Sequence, residues 1–306
     1  MPARPLRSVL IGDTDHYPSE YIFGVAQGMA LLGHWHTAVS VRNDIDVIER
    51  RVEQTAPDVI WGHMLLWPPG GPDVAAALLD LCRRWRQRGT RVIMHDGDAR
   101  ESTRYPTDIS DSVDVVLCNH MADRSAWNIR QVRWPYFAFV QPRPSVSAGM
   151  FLCSLAFAGR LSTAGIYAER TAFVFELKKR LGSRMLVFPN PDCRHTLMRT
   201  PELAASADAV LGYGRPESPG WLDVRVFQYP GAGGVLLYDD VERAGEFLTP
   251  WRHFVPYQRH DVDSVMLAVQ FAKEHGAAIR HEAFQFVQER HTSVQRVEQA
   301  LAEVLS

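Results

Sequence analysis

Lysine is almost missing from this chain: Lys178, Lys179 and Lys273 are the only three among 33 basic residues. That shortage fits a GC-rich coding sequence better than a functional demand. Cysteine is scarce as well. Cys82, Cys118, Cys153 and Cys193 stand far apart with no Cys-x-x-Cys spacing, which excludes a zinc ribbon and leaves buried, reduced thiols. No apolar run approaches the ~18 residues that a membrane-spanning helix needs. The opening Met1-Pro-Ala-Arg-Pro-Leu-Arg7 runs directly into a strand-like Ser8–Ile11, without the apolar region and cleavage site of a secretory signal. The expectation is a cytoplasmic protein. An excess of one charge is also missing. The formal net charge is -2, so no global field draws nucleic acid or an acidic membrane. No Gly-x-Gly-x-x-Gly follows the first strand, which leaves a Rossmann dehydrogenase poorly supported.

What is present is an ordinary globular balance over 306 residues, 46% hydrophobic and 22% charged, enough for one large or two ordinary domains. Short, mostly β-branched strands are predicted at 8–11, 37–41, 59–62, 91–94 and 113–118, with helical patterns at 20–32, 45–54 and 74–86. Such alternation predicts a parallel sheet covered on both faces. An aromatic stretch, Trp134–Val140, leads into the Pro/Ser/Gly-rich segment Gln141–Gly149, which reads as a linker. The second half repeats the logic, with strands at 151–158, 185–188, 209–212 and 235–238. Its helices are predicted at 167–181, 201–206, 222–229, 262–274, 279–289 and 293–305. The class is therefore α/β, with one domain over 1–144 and a second over 150–306.

The densest motif is Asp223-Val-Arg-Val-Phe-Gln-Tyr-Pro-Gly-Ala-Gly-Gly-Val-Leu-Leu-Tyr-Asp-Asp240. It reads as a short helix broken at Pro230, a glycine turn and a buried strand. A helix N-terminus beside such a turn offers backbone N–H groups and a positive dipole end to a phosphate, and glycines let the backbone approach closely. Together with Glu289-Arg-His-Thr292, Phe157-Ala-Gly-Arg-Leu-Ser162 and Tyr167-Ala-Glu-Arg170, this motif resembles the C-terminal domain of the CgeB/YkvP-type spore-protein glycosyltransferases, part of the wider GT-B group. The resemblance covers roughly residues 151–305. It implies two Rossmann-like α/β domains with parallel sheets facing a central cleft. It also implies a C-terminal donor domain and a terminal helix that packs back towards the N-domain. The family carries Glu where this chain has Gln228, and that Glu grips the ribose hydroxyls. Counting back eight positions reaches Gly220, so the Glu-x7-Glu pair of many retaining GT-B enzymes is missing.

Candidate site residues follow from the rule that ligands of open α/β sheets sit beyond the strands' carboxyl ends. In the loop after the first strand, Asp13, Asp15 and His16 can serve as the base for an acceptor hydroxyl; the same residue types also make ordinary turns and caps. After the fourth strand, Asp96 and Asp98 form an Asp-x-Asp pair. Two carboxylates are too few oxygens for a hard-cation site, and the resemblance implies metal-independent chemistry, so both read as acceptor contacts, a base or turn residues. His63 and Trp67 follow the third strand. In the second half, Arg160 and Arg225 suit a diphosphate, and Tyr213 with Gly214 stands where GT-B enzymes sandwich the base. Gln228 reads as the ribose contact, and Gly231, Gly233 and Gly234 as the phosphate turn. The cluster Arg83–Arg91 keeps a DNA acceptor with hydroxymethylated pyrimidines open, although arginines also suit a helix C-terminus.

The function this implies is transfer of a sugar from a nucleoside-diphosphate donor, a UDP-sugar, to a hydroxyl on a small molecule, a glycan or DNA. No metal and no separate cofactor are expected. A nucleotide- or partner-binding pseudoenzyme and a sugar-nucleotide epimerase stand as alternatives. Donor sugar, acceptor and oligomeric state are not written in the residues.

Overall fold

The computed structural model describes residues 4–14, 20–63, 65–66, 68–96, 108–119, 127–143, 152–189, 200–214 and 222–305. They form two compact units. The first is built from Met1–Pro135 and Ser293–Ser306, the second from Tyr136–Pro216 and Leu222–Thr292, among their described residues.

The first unit is a six-stranded parallel sheet, β1 Arg7–Gly12, β2 Trp35–Ser40, β3 Val59–His63, β4 Arg91–Asp96, β5 Val115–Cys118 and β6 Gln131–Arg133. Its order is β2-β1-β3-β4-β5-β6, with registers such as Leu10 opposite Trp61 and Ile93 opposite Val115. The run Val9–Ile11 is apolar on both sheet faces because helices cover both. Helix α1 is Glu20–Leu31, α2 Ile45–Thr55 and α3 Pro72–Gln87. Helix α3 starts on Pro72, a residue suited to the first turn. It buries Leu78, Leu81, Cys82 and Trp85 against Ile60, Val92 and Val116 of the sheet.

The last helix of the chain, Ser293–Leu305, also belongs to this unit. It lies so close to α1 that a Cβ on Gly28 would meet Val297 and the Ser293 carbonyl oxygen. Ser293 Oγ pairs with Gln27 Oε1 at 2.8 Å, Trp134 Nε1 donates to the Arg296 carbonyl at 2.8 Å, and Arg296 Nε donates to the Pro135 carbonyl at 3.1 Å.

The second unit is a five-stranded parallel sheet: β7 Leu155–Gly159, β8 Met185–Pro189, β9 Ala209–Leu211, β10 Leu236–Tyr238 and β11 Val255–Pro256. Its order is β11-β10-β9-β7-β8. Alternation along β7 sorts the core. Leu155 and Phe157 join Leu177, Val265 and Val269 on one face; Ala156 and Ala158 join Val226, Phe227 and Val287 on the other. The helices are α4 Ala168–Leu181, α5 Thr200–Ser206, α6 Arg225–Gly231, α7 Val241–Gly245 and α8 Val262–Arg290; the terminal helix Ser293–Leu305 is α9. Helix α8 runs unbroken through Gly276, where two helices were expected. One internal Gly costs only about 1 kcal/mol relative to Ala, and Ile279, Ala283 and Val287 beyond it are buried.

Candidate functional site

In both units the order of the first four strands places a reversal of direction beside the first strand, β1/β3 in one and β7/β9 in the other. The crevice outside the carboxyl ends at such a point is where ligands of these sheets bind.

In the first unit, Asp13 follows β1 and is fully buried. Arg42 reaches its Oδ2 through Nε at 2.9 Å and Nη2 at 2.8 Å, so this carboxylate is held as an ion pair. His63 ends β3, and His95 and Asp96 end β4. Tyr21 of α1 stacks on His95 with ring centroids 4.1 Å apart and planes 6° from parallel. His63 lies 5.3 Å from Tyr21 and 5.4 Å from His95, and Trp134 closes the group edge-on. The His63 residue keeps some solvent contact, yet its Nδ1 is fully covered. Burial lowers its pKa to about 4, against the opposing pull of Asp13. A neutral imidazole is the form that can accept a proton. The buried Tyr21 hydroxyl has no hydrogen-bond partner among the described residues, and burial pushes its pKa up. Asp96 is buried, and its carbonyl accepts from the Asn119 N–H. Asp15, His16, Asp98 and Trp67 lie outside the described residues. Sequence reasoning passed over Tyr21 and His95, because one residue on a helix face and one inside a strand carry no motif.

In the second unit, Arg160 follows β7, is exposed, and lays its guanidinium over the Tyr167 ring at 5.3 Å. Arg225 is committed elsewhere. Its Nη1 bonds both Asp223 oxygens at 2.9 and 3.0 Å, and its Nε donates to the Ala158 carbonyl at 3.1 Å. Tyr213 follows β9. Its hydroxyl lies 2.6 Å from His260 Nε2, and the Arg259 guanidinium covers its ring at 4.9 Å. With 8% exposure, Tyr213 supports its neighbours and has little ring face left for a base. Arg259 Nε is 2.6 Å from Asp239 Oδ2, whose side chain is fully buried. The Gly214 N–H donates to the other Asp239 oxygen at 2.7 Å. Burial raises the Asp239 pKa, against that N–H and Arg259. Among the described residues the Nη groups of Arg259 make no further hydrogen bond, and about a quarter of the side chain is exposed.

Gln228 sits inside α6, 9% exposed, and its carboxamide makes no hydrogen bond among the described residues. Gly231, Gly233 and Gly234 take a different part from the expected phosphate turn. The N–H groups of Ala232, Gly233 and Gly234 donate to Gln228, Pro230 and Tyr229 carbonyls, closing the helix's C-terminal end. Gly233 holds φ +85°, and a Cβ on Gly234 would lie 2.9 Å from the Ala204 carbonyl oxygen. These glycines serve close packing, at the amino end of β10 rather than its carboxyl end. Arg259 and His260 went unnoticed in the sequence. The faint signal was Gln258-Arg-His260 ahead of Asp261, the residue that caps α8 through Ser264 N–H.

Residues 190–302 match the family described as glycosyl transferase-like. The whole chain is similar in structure to HepE of Anabaena in complex with UDP and glucose, at 13% identity and a TM-score of 0.60, covering 96% of this chain and 98% of that one. It is also similar to AviGT4, a glycosyltransferase involved in avilamycin A biosynthesis, at 18% identity and 0.57, covering 98% and 97%. A third likeness is to sucrose-phosphate synthase of Thermosynechococcus elongatus, at 8% identity and 0.57, covering 96% and 97%. The fold is GT-B. No curated protein matches the sequence. In this GT-B chain the glycosyl transferase-like stretch carries Tyr213, Asp239, Arg259 and His260 together. Among the described residues, no helix is long and apolar enough to cross a membrane.

Proposed function

We propose that this protein is a glycosyltransferase that moves a sugar from a nucleoside-diphosphate donor, a UDP-sugar, to a hydroxyl acceptor without a metal ion. The observation that carries the reading is the group Tyr213, Arg259, His260 and Asp239 at the carboxyl edge of the second unit's sheet, inside the stretch that matches glycosyl transferases. HepE, with the same fold, binds UDP-glucose, which favours UDP as the nucleotide. The Nη groups of Arg259, helped by the exposed Arg160, neutralise the diphosphate, so the leaving-group charge is met by fixed guanidinium groups. The first unit supplies the acceptor side. Neutral His63 accepts the hydroxyl proton, alone or with Asp15 and His16. Asp13, paired with Arg42, positions rather than abstracts. The acceptor is a glycan or small-molecule hydroxyl, and the CgeB/YkvP type is the subfamily that the motif of residues 223–240 favours.

Thermal shift against UDP, ADP, GDP and their glucose conjugates, with and without Mn²⁺, tests the donor half. A ligand that binds only the folded chain raises its melting temperature by mass action. Stabilisation by UDP and UDP-sugar alone, unchanged by Mn²⁺, is the expected result; no shift with any nucleotide overturns the proposal. Gln228 favours a second reading, a chain that binds a nucleotide without turnover, since a neutral carboxamide replaces the ribose-gripping carboxylate. If Gln228→Glu creates sugar transfer from none, that second reading is correct.

A further inference from the structure

A groove of about 640 Å³ lies against the edge of the second unit's sheet, along β11 and the first half of α8. That volume is within the range of small-ligand sites. Two of its walls are unusually exposed for apolar side chains, Trp251 at 54% and Leu267 at 70%. Trp251 holds φ +64°, a region that bulky residues rarely adopt. The turn fixes it there through its N–H to the Phe254 carbonyl at 2.7 Å. Phe271 packs edge-on against the indole, with centroids 5.0 Å apart and planes at 75°, so one aromatic surface is braced from behind. Beside it stand the planar polar groups of Gln258, Gln270 and Glu274, the last two joined by a 3.0 Å hydrogen bond.

The occupant follows from what this edge offers and what it lacks. A peptide strand would need main-chain donors along the sheet edge. Pro256 has none, and the N–H groups of Tyr257, Gln258 and Trp251 are bonded to the Tyr238 carbonyl, Ser264 Oγ and the Phe254 carbonyl. What remains is a fixed aromatic plane flanked by carboxamides and a carboxylate. That set suits a ligand with flat C–H faces and hydroxyl edges.

We infer that this groove binds an oligosaccharide segment, with a sugar ring on Trp251 and its hydroxyls on Gln258, Gln270 and Glu274. The site concerns binding alone and stands whether or not the chain transfers sugar. Because β11 leads through Gln258 directly to Arg259 and His260, a glycan held here lies beside the candidate donor group.

The test is saturation-transfer NMR on the full chain with maltotriose, cellotriose and chitotriose at millimolar concentration. UDP-induced thermal shift is read on the same samples. Binding of at least one trisaccharide is expected, weakened about tenfold by Trp251→Asn, a residue that tolerates the left-handed backbone, and also weakened by Gln270→Ala. The UDP shift should be unchanged in both variants. Absence of binding by all three sugars, or binding indifferent to both variants, overturns the inference. So does a dimer in light scattering that Trp251→Asn dissolves, since a second copy would then own the groove. Failure of the UDP shift with sugar binding intact would instead count against the transferase reading.

Discussion

The phenolic oxygen of Tyr213 and Nε2 of His260 are 2.6 Å apart, and this bond ties the end of β9 to the turn that precedes α8. His260 holds φ +61° in that turn. The hydroxyl therefore steadies a backbone position that also carries Arg259. Tyr213→Phe should leave the fold intact, since the ring keeps its packing against Arg259. A hydrogen bond of this kind contributes about 1 kcal/mol, so UDP affinity should fall about fivefold by calorimetry. An unchanged affinity would remove this turn from the donor site.

Arg259→Met strips the buried Asp239 carboxylate of its guanidinium and leaves it to backbone N–H groups, those of Gly214 and of Asp239 itself. Breaking such a pair is strongly destabilising when both members are buried. Because Arg259 is partly exposed, about 2 kcal/mol is expected at neutral pH. The folded Asp239 pKa already lies above the ordinary value, and losing the guanidinium raises it further. A raised carboxyl pKa means that the fold binds its proton more readily than the unfolded chain does. Stability lost in the variant should therefore return as the pH falls from neutral towards the ordinary carboxylate range. Urea unfolding of both proteins at neutral and mildly acidic pH reads this directly; parallel losses at both would exclude it.

His63 works in the opposite direction. Its imidazole titrates at about 4 in the fold and near 6.5 when unfolded. Between those values the unfolded chain takes up a proton that the fold refuses, so stability drops as the pH falls through the window. His63→Gln should flatten that stretch of the stability profile by on the order of 2 kcal/mol, allowing for the residue's partial solvent contact. If His63 is also the base, the same variant lowers kcat more than it raises KM.

Arg280 of α8 donates to the carbonyls of Ala204, Gly233, Ala207 and Asp208 at once. Only a planar fork reaches four acceptors, so Arg280→Lys is not conservative. Both Arg280→Lys and Arg280→Ala should lower the urea midpoint, the alanine by about 3 kcal/mol. A lysine variant as stable as the parent would mean that the fork is dispensable.

Much of the fold was legible because parallel strands announce themselves as short apolar runs between amphipathic helices. β1, β3, β4, β7 and β10 fall within a few residues of expectation. β6 was missed, since Gln131-Val-Arg133 has neither an apolar run nor alternation against its partly exposed surroundings. Trp134 and Phe137 read as the approach to a linker and are instead almost fully buried. The glycine turn is the instructive case. Residues 231–234 carry the composition of a phosphate loop, but composition does not say which end of a strand a turn precedes, nor whether its N–H groups are already used. Arg259 and His260 follow a strand of only two residues, too short for any pattern, so their place at the sheet's carboxyl edge emerged only from topology.

The terminal helix has a consequence for how the chain reaches its native state. Gly28, Gln27, Trp134 and Pro135 of the first unit each meet a partner among Ser293, Arg296 and Val297. A ribosome delivers those residues after the entire second unit has been made. The first unit thus waits through half of synthesis with one flank of α1 unsealed, a long sequence separation of the kind that slows folding. Closing that flank needs residues made after the second unit, which ties maturation of the first unit to synthesis of the second.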